Sequence, residues 1–172
     1  MKLLSKVFIK DNFFSSNIHN EIVQQMVSVE YNPPNEKKIK EHGGCYWHNH
    51  DLPHNSDVQN EIKSLINKKF NYQITNFVDT TYTMVGANDK PRPHKDNIMG
   101  VTHQCLIYML GEESANNGTG FYYEKNSGKL ELSIHVGFKQ NRAIFFSSDV
   151  PHSPLQWAGN GSFRYSIGNF FN

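Results

Sequence analysis

The chain has 172 residues, 37% of them hydrophobic and 13% aromatic, and a formal net charge of +1. That length and aromatic content suit a folded domain with a real core and argue against a disordered polypeptide. A balanced charge with no basic run argues against a nucleic-acid surface built on phosphate contacts, and no apolar stretch approaches the roughly 20 residues that span a bilayer.

Taken in chain order, the N-terminal MKLLSKVFIK has lysines at 2, 6 and 10 that break any signal-peptide apolar region. Cys45 and Cys105 form no metal-type pair and need no bridge, so a cytoplasmic, reduced protein is expected. Two segments carry apolar residues at helical spacing. In SSNIHNEIVQQMVSVEY these are Ile18, Ile22, Val23 and Met26, behind serine N-cap candidates. In NSDVQNEIKSLINKKF they are Val58, Ile62, Leu65 and Ile66, behind Ser56.

From about residue 73 the texture changes to short strands: YQITNFVDTTYTMV, HQCLIYML, TGFYYEK, LELSIHVGF, RAIFFSS and SFRYSIGNFF, divided by Gly, Asn, Asp and Pro turns. This spacing predicts a β-sandwich or jelly roll. Helices first and strands after predict a single domain over 1–172, in which 1–72 supply helical support and a loop, and 73–172 the β core.

Within PRPHKDN, His94 and Asp96 stand at i and i+2. In extended backbone those side chains project to one face, their Cα atoms about 6.5–7 Å apart, close enough to lean together on one ion. Pro93 biases the preceding residue toward extended geometry. Chance in a surface loop is the alternative for so short a motif. The best third ligand is His152, beside a proline at the end of the apolar strand in NRAIFFSSDVPHSPLQW. Two histidines and a carboxylate with open positions mark non-heme Fe(II) oxygen chemistry, whereas zinc on the same ligands favours a closed or single-water tetrahedral site.

Only three of the 17 Lys and Arg residues are arginine, Arg92, Arg142 and Arg164, so each arginine merits attention. Arg164 and Ser166 share a strand face and together make a planar fork with an added hydroxyl donor, suited to a carboxylate. An ordinary ion pair is the other reading of Arg164.

In combination, His94-Lys95-Asp96, His152 and Arg164-Tyr165-Ser166, spread in that order over roughly residues 76–171, resemble the 2-oxoglutarate/Fe(II)-dependent dioxygenases. The short interval between the histidines is similar to their prolyl-hydroxylase-like branch. The resemblance implies a mainly β (α+β) double-stranded β-helix, a cupin-like jelly roll with the N-terminal helices on one face. It implies Fe(II) held by His94, Asp96 and His152. It also implies 2-oxoglutarate as cosubstrate with its C5 carboxylate on Arg164 and Ser166, O2 as oxidant, and ascorbate as reductant. CLIYML resembles the family strand after the His-x-Asp, whose tyrosine touches the same carboxylate, here Tyr108. TTYTMVG resembles the strand before it and makes Tyr82 a second candidate contact; plain strand packing is the other reading of both. Because Asp96 keeps the carboxylate that related halogenases lack, the implied reaction is hydroxylation of an amino acid, peptidyl or small-molecule substrate, forming succinate and CO2.

A second histidine-rich run, HGGCYWHNHDLPHN, contains His42, His48, His50, Asp51 and His54. It lacks the i, i+2 His/Asp pairing and is read as a loop over the site, with Tyr46 and Trp47 meeting substrate. The sequons at Asn117 and Asn160 carry no meaning in a cytoplasmic protein. Two other functions fit parts of the pattern: a cupin-like metalloenzyme that does not use 2-oxoglutarate, and a non-catalytic jelly roll binding sugar or peptide. Neither substrate identity nor oligomeric state is legible in these residues.

Overall fold

Two antiparallel sheets face each other, one large and one small, with two helices laid on the outer side of the large one. The computed structural model describes residues 6–33, 36, 46–49, 56–86, 92–96, 98–155 and 163–172. The strands are β1 (Val7–Lys10), β2 (Tyr46–Asn49), β3 (Phe77–Gly86), β4 (His103–Leu110), β5 (Ser114–Glu124), β6 (Leu130–Phe138), β7 (Arg142–Ser147), β8 (His152–Leu155) and β9 (Phe163–Phe171). The helices are α1 (Ser16–Ser28) and α2 (Ser56–Phe70). The large sheet has the order β1-β7-β4-β9-β3-β2 and the small one β6-β5-β8. This is the jelly roll expected from the strand pattern, a double-stranded β-helix with helices on one face. Among the described residues no helix is long and apolar enough to cross a membrane.

Both helices form where their apolar stripes predict. Ser15 caps α1, its hydroxyl accepting from the Ile18 amide, and Asp57 opens α2 while Lys68 and Lys69 close it, each charge placed to suit the helix dipole. Ile22 and Met26 of α1 and Ile62 and Ile66 of α2 are buried against Ile107, Met109, Ala143, Phe145, Ile167 and Phe171 of the large sheet. His19 adds a polar tie, its Nε2 bonded to the Met109 carbonyl at 3.0 Å.

The strands of the large sheet alternate between two faces, with register shifts between Phe77 and Asp79 of β3 and between Tyr108 and Leu110 of β4. Along β7, Ala143 and Phe145 face the helices, while Ile144 and Phe146 face the small sheet. The same parity runs through β4 and β9, so one sheet serves two interiors: a dry layer under the helices, and the mouth between the sheets. The six strand segments expected from the sequence all form. The strands β1, β2 and β8 were not anticipated. The first lies in a lysine-punctuated stretch whose Phe8 and Ile9 are exposed at the sheet edge, and the second has only four residues.

The segment ahead of α1 is stapled to the β6–β7 turn. Asn141, at φ 60°, has its side-chain oxygen on the Phe14 amide and its side-chain nitrogen on the Phe14 carbonyl, at 2.8 and 2.9 Å. Asp11 takes a two-bond fork from Arg142, at 2.6 and 3.1 Å, and a third bond from Lys139 at 2.9 Å. Chiefly through the Arg142 bonds, the Asp11 carboxyl is held down to about 2 from its ordinary 3.8.

A carboxyl lowered on folding stabilises the fold above its unfolded value and ceases to do so as pH falls through the folded value. The Asp11 contribution is therefore complete above about pH 4 and lost on the way down to about pH 2. Because the side chain is about one-third exposed, screening limits its worth to about 1 kcal/mol. Asp11→Asn is expected to lower stability by that amount at pH 7, with the difference from the parent shrinking toward zero at pH 2, as chemical denaturation at both pH values would show.

Candidate active site

The site is built from cross-strand rows that β3, β9, β4 and β7 present to the small sheet. Register sets Thr83, Ser166, Tyr108 and Arg142 side by side, then Thr81, Gly168, Leu106 and Ile144, then Asp79, Phe170, Gln104 and Phe146. Successive rows lie about 6.6 Å apart along the strands. A cavity of about 340 Å³ runs over these rows, and Arg164, Tyr108, Ser166, His94, Asp96 and His152 all line it.

At one end the three expected ligands converge. His152 opens β8 as a strand of the small sheet rather than ending the apolar strand before it, and it pairs with Phe121 of β5. On its other side it forms an isolated antiparallel bridge with His94, each amide donating to the other's carbonyl at 2.9 Å. The bridge puts the two imidazoles side by side, with ring centres 5.0 Å apart. In each histidine Nδ1 bonds a backbone carbonyl two residues earlier: Arg92 for His94 at 2.9 Å and Val150 for His152 at 3.1 Å. A carbonyl can only accept, so Nδ1 carries the proton in both, and in the neutral rings Nε2 presents a lone pair.

Those Nε2 atoms approach Asp96, at 3.7 Å for His94 and 3.3 Å for His152, and the ligand atoms of all three residues lie within 4.8 Å of one another. Three acceptors aimed at one point repel unless a cation sits among them. The donor set, the shared tautomer and the carbonyls that fix it suit a divalent metal. Burial alone would raise the Asp96 carboxyl; when the imidazoles are protonated in place of holding a metal, the His152 bond and the charges on His152 and His94 outweigh burial and hold it at about 2. The Gln104 amide stands close enough to add to this lowering, although its nitrogen reaches no well-aligned bond. Phe146 packs edge-on against the His152 ring at 4.9 Å and keeps it in place.

At the deep end Arg164 is buried, with its guanidinium 5.9 Å from the ring centres of both Tyr108 and Phe138. Its Nη1 donates to Asn117 Oδ1 at 2.6 Å and to the Gly118 carbonyl at 2.7 Å, both neutral acceptors. The Tyr108 hydroxyl donates to Thr119 at 2.7 Å, and Thr83 and Ser166 share a hydroxyl–hydroxyl bond of 2.8 Å. Burial pushes the Tyr108 phenol up, so it stays protonated and can donate.

Asn117, Gly118 and Thr119 thus hold both Arg164 and Tyr108, a role that sequence reading missed. Here β5 bulges between Ser114 and Gly118, and at φ +149° a Cβ on Gly118 would fall 2.0 Å from the Val136 carbonyl oxygen. No other residue fits there. An Asn-Gly-Thr triplet before an aromatic strand was the available signal, set aside as an idle sequon.

Two expected contacts are placed elsewhere. Tyr82 is fully buried on the helix side of β3, one residue out of phase with the cavity residues Thr81 and Thr83. Burial pushes its phenol up to about 12, and its hydroxyl has no hydrogen-bond partner among the described residues. Trp47 lies opposite Met84 in β2 and packs on that same helix-side core, so it does not meet the cavity. The run read as a loop contains an edge strand, and the residue it turns to the cavity is His48, opposite Thr83. The Tyr46 side chain, His42, Cys45, His50, Asp51 and His54 lie outside the described residues, as does the sequon at Asn160.

No family model and no curated sequence matches the chain. Solved structures do match its fold. A Pseudomonas putida prolyl-4-hydroxylase is 14% identical over 97% of this chain and 92% of its own, with a TM-score of 0.64. The fold is that of the 2-oxoglutarate/iron oxygenases. A Trichoplax adhaerens prolyl hydroxylase, solved with a hypoxia-inducible-factor peptide fragment, is 17% identical over 96% of this chain and 83% of its own, with a TM-score of 0.66. HygX from Streptomyces hygroscopicus, solved with nickel, 2-oxoglutarate and hygromycin B, is 11% identical over 97% and 82%, with a TM-score of 0.65.

Two tyrosines of one chain separate packing from binding. Tyr82→Phe removes an unsatisfied buried hydroxyl and is expected to leave stability unchanged within about 0.5 kcal/mol, or raise it. Tyr108→Phe removes the bond to Thr119 and is expected to cost about 1 kcal/mol. It should also weaken binding of a dicarboxylate such as 2-oxoglutarate, which Tyr82→Phe should not. Thermal denaturation and calorimetric titration with 2-oxoglutarate check both.

Proposed function

We propose that the chain is a non-heme Fe(II)- and 2-oxoglutarate-dependent oxygenase that hydroxylates an amino acid, a peptidyl residue or a small molecule. One observation carries this reading. Three metal-type donors converge at one end of a cavity whose other end is a buried arginine braced by neutral acceptors. The structural neighbours support it, since one was solved with a metal ion and 2-oxoglutarate together and others are prolyl hydroxylases.

His94, Asp96 and His152 would hold the iron. Bound there with 2-oxoglutarate and O2, it supplies an oxidant for a substrate C–H bond: one oxygen atom ends in the hydroxyl product and the other in succinate, with CO2 released. The chain's part is placement. Arg164 gives the oxo acid's distal carboxylate a planar cationic partner, with Ser166 and the Tyr108 hydroxyl beside it. Asn117 and Gly118 stop the guanidinium from rotating, and Thr83 orients the Ser166 hydroxyl. The carbonyls of Arg92 and Val150 keep both histidines in the metal-binding tautomer. Phe146 and Leu106 make the surrounding wall apolar, which keeps water from the reacting centre.

The test is succinate release with iron(II), 2-oxoglutarate and ascorbate, dependent on O2 and stimulated by substrate. His152→Ala should lower metal affinity on the order of 100-fold or more, and Asp96→Ala likewise, with the β core intact. Arg164→Lys should keep the metal and raise the 2-oxoglutarate requirement about 10- to 100-fold, because an ammonium cannot form the two-bond fork. Metal-dependent turnover indifferent to Arg164 and free of succinate would identify a cupin-like enzyme instead. Absence of tight metal binding would identify a non-catalytic jelly roll.

A further inference from the structure

Two of the chain's three arginines are engaged within the fold: Arg142 is paired with Asp11, and Arg164 is buried at the deep end of the cavity. The third, Arg92, has no such task. We propose that Arg92 is the substrate anchor at the cavity mouth, and that it takes the carboxylate of a small acid of amino-acid size. The fate of the bound acid rests on the oxygenase reading; its binding does not.

Strand geometry places it there. The bridge between His94 and His152 is an antiparallel hydrogen-bonded pair, so two residues further along each chain Arg92 stands opposite Pro154. In extended backbone every second side chain shares a face. Arg92 therefore lies on the face of His94 and Asp96, as Pro154 lies on that of His152. His94, Asp96, His152 and Pro154 all line the cavity, which puts Arg92 at its rim, about 6.6 Å along the strand from His94. Pro154 also explains why the bridge is isolated: with no N–H, it cannot donate to the Arg92 carbonyl. That carbonyl accepts from His94 Nδ1 instead, so Arg92 fixes the metal-binding tautomer with its backbone and keeps its side chain for another use.

Charge argues for an anion. Arg92 is exposed, and among the described residues no carboxylate pairs with its guanidinium. Its neighbour Lys95, on the opposite face, does find one, reaching Glu124 at 3.7 Å. The carboxylate on Arg92's own face, Asp96, is turned to the histidines. A planar fork at the mouth of a cavity matches a carboxylate in two bonds, where lysine, the commoner cation of this chain, would offer a point charge. Size argues for a small molecule. A cavity of about 340 Å³ is at the lower end for a ligand pocket, and the oxo acid occupies part of it. With its carboxylate on Arg92, an acid of amino-acid size lays the carbons a few bonds away over the metal ligands. Phe146, packed on the His152 ring, and Pro154 offer those carbons apolar contact.

Calorimetric titration of the protein loaded with iron(II) and saturating 2-oxoglutarate under argon, where nothing turns over, tests the anchor directly. The saturating oxo acid keeps the probes off Arg164. The probes are the common L-amino acids, each beside its amide, which lacks the negative charge, and beside the same residue capped at both ends as in a peptide. At least one free acid should saturate, with its amide and its capped form about tenfold weaker or worse. Arg92→Gln should weaken that acid about tenfold and leave its amide unchanged, and Arg92→Lys should fall between Arg92→Gln and the parent. Iron and 2-oxoglutarate affinities should hold in both variants, because the carbonyl that fixes His94 is backbone and survives the substitution. An acid that binds no better than its amide, an acid indifferent to Arg92→Gln, a capped residue that binds tightest, or no amino acid binding at all would each overturn the proposal. An Arg92-dependent acid that stimulates no succinate release once O2 is admitted would overturn the oxygenase reading and leave the anchor standing. Succinate release stimulated equally by acid and amide would do the reverse.

Discussion

The reciprocal pair of backbone hydrogen bonds between His94 and His152 is the constraint on which the site depends. It fastens a short segment after the β3 strand to the edge of the small sheet, with both N–O distances at 2.9 Å. Two histidines far apart in sequence thereby become directly opposed residues of a hydrogen-bonded pair, their side chains neighbours on one face. The bonds from each Nδ1 to a carbonyl two residues earlier repeat the same local geometry in both segments. The metal-binding tautomer is thus set by backbone, which cannot rotate away. Asp96 then needs only its i+2 position to meet both rings.

The second organising fact is that the large sheet is mostly apolar on one face, apart from the buried Thr80–Asn169 hydrogen bond, and mixed on the other. Under the helices, Ile107, Met109, Ala143, Phe145 and Ile167 form a dry layer with no demand for specificity. Toward the small sheet, the same strands present Arg164, Ser166, Tyr108, Thr83, Gln104 and Asp79 among apolar neighbours. Burial of the first face holds the second rigid, which is what a site requiring fixed donors needs. The staple of Asn141 and Asp11 serves the same end, tying the approach to α1 onto the turn between β6 and β7.

Residue type and short spacing made much of this legible. His94 and Asp96 at i and i+2, and Arg164 and Ser166 at i and i+2, are statements about one strand face, and strand parity follows directly from sequence once a strand is placed. The six core strands and both helices were legible from apolar period alone. What failed was parity across an uncertain element. Tyr82 is out of phase by one residue, which on a strand moves a side chain to the opposite face of the sheet. Trp47 was read in a loop, where parity does not apply; in β2 its register with Met84 commits it to the helix side and turns His48 to the cavity instead. The edge strands β1 and β2 were hidden by their brevity and exposure, since an edge strand owes its existence to a neighbour that local sequence does not show.

The hardest feature to foresee is the bulge at Asn117 and Gly118, and it bears most on Arg164. Burying a guanidinium is expensive, on the order of several kcal/mol before compensation. The chain offsets this with two neutral acceptors and two aromatic faces. That choice is informative. A carboxylate brace would cancel the charge and leave little attraction for an incoming anion, whereas an amide oxygen and a peptide carbonyl satisfy donors without themselves cancelling it. Just past the bulge the Gly118 carbonyl accepts from Arg164, and only glycine tolerates the close approach to Val136 at that position. The cavity therefore holds a buried guanidinium at its deep end, with an amide oxygen and a peptide carbonyl among its partners, opposite three acceptors that suit a cation at its mouth. A dicarboxylic oxo acid that reaches from one to the other satisfies both ends at once, and this polarity of the cavity, more than any single residue, is what ties the fold to its proposed chemistry.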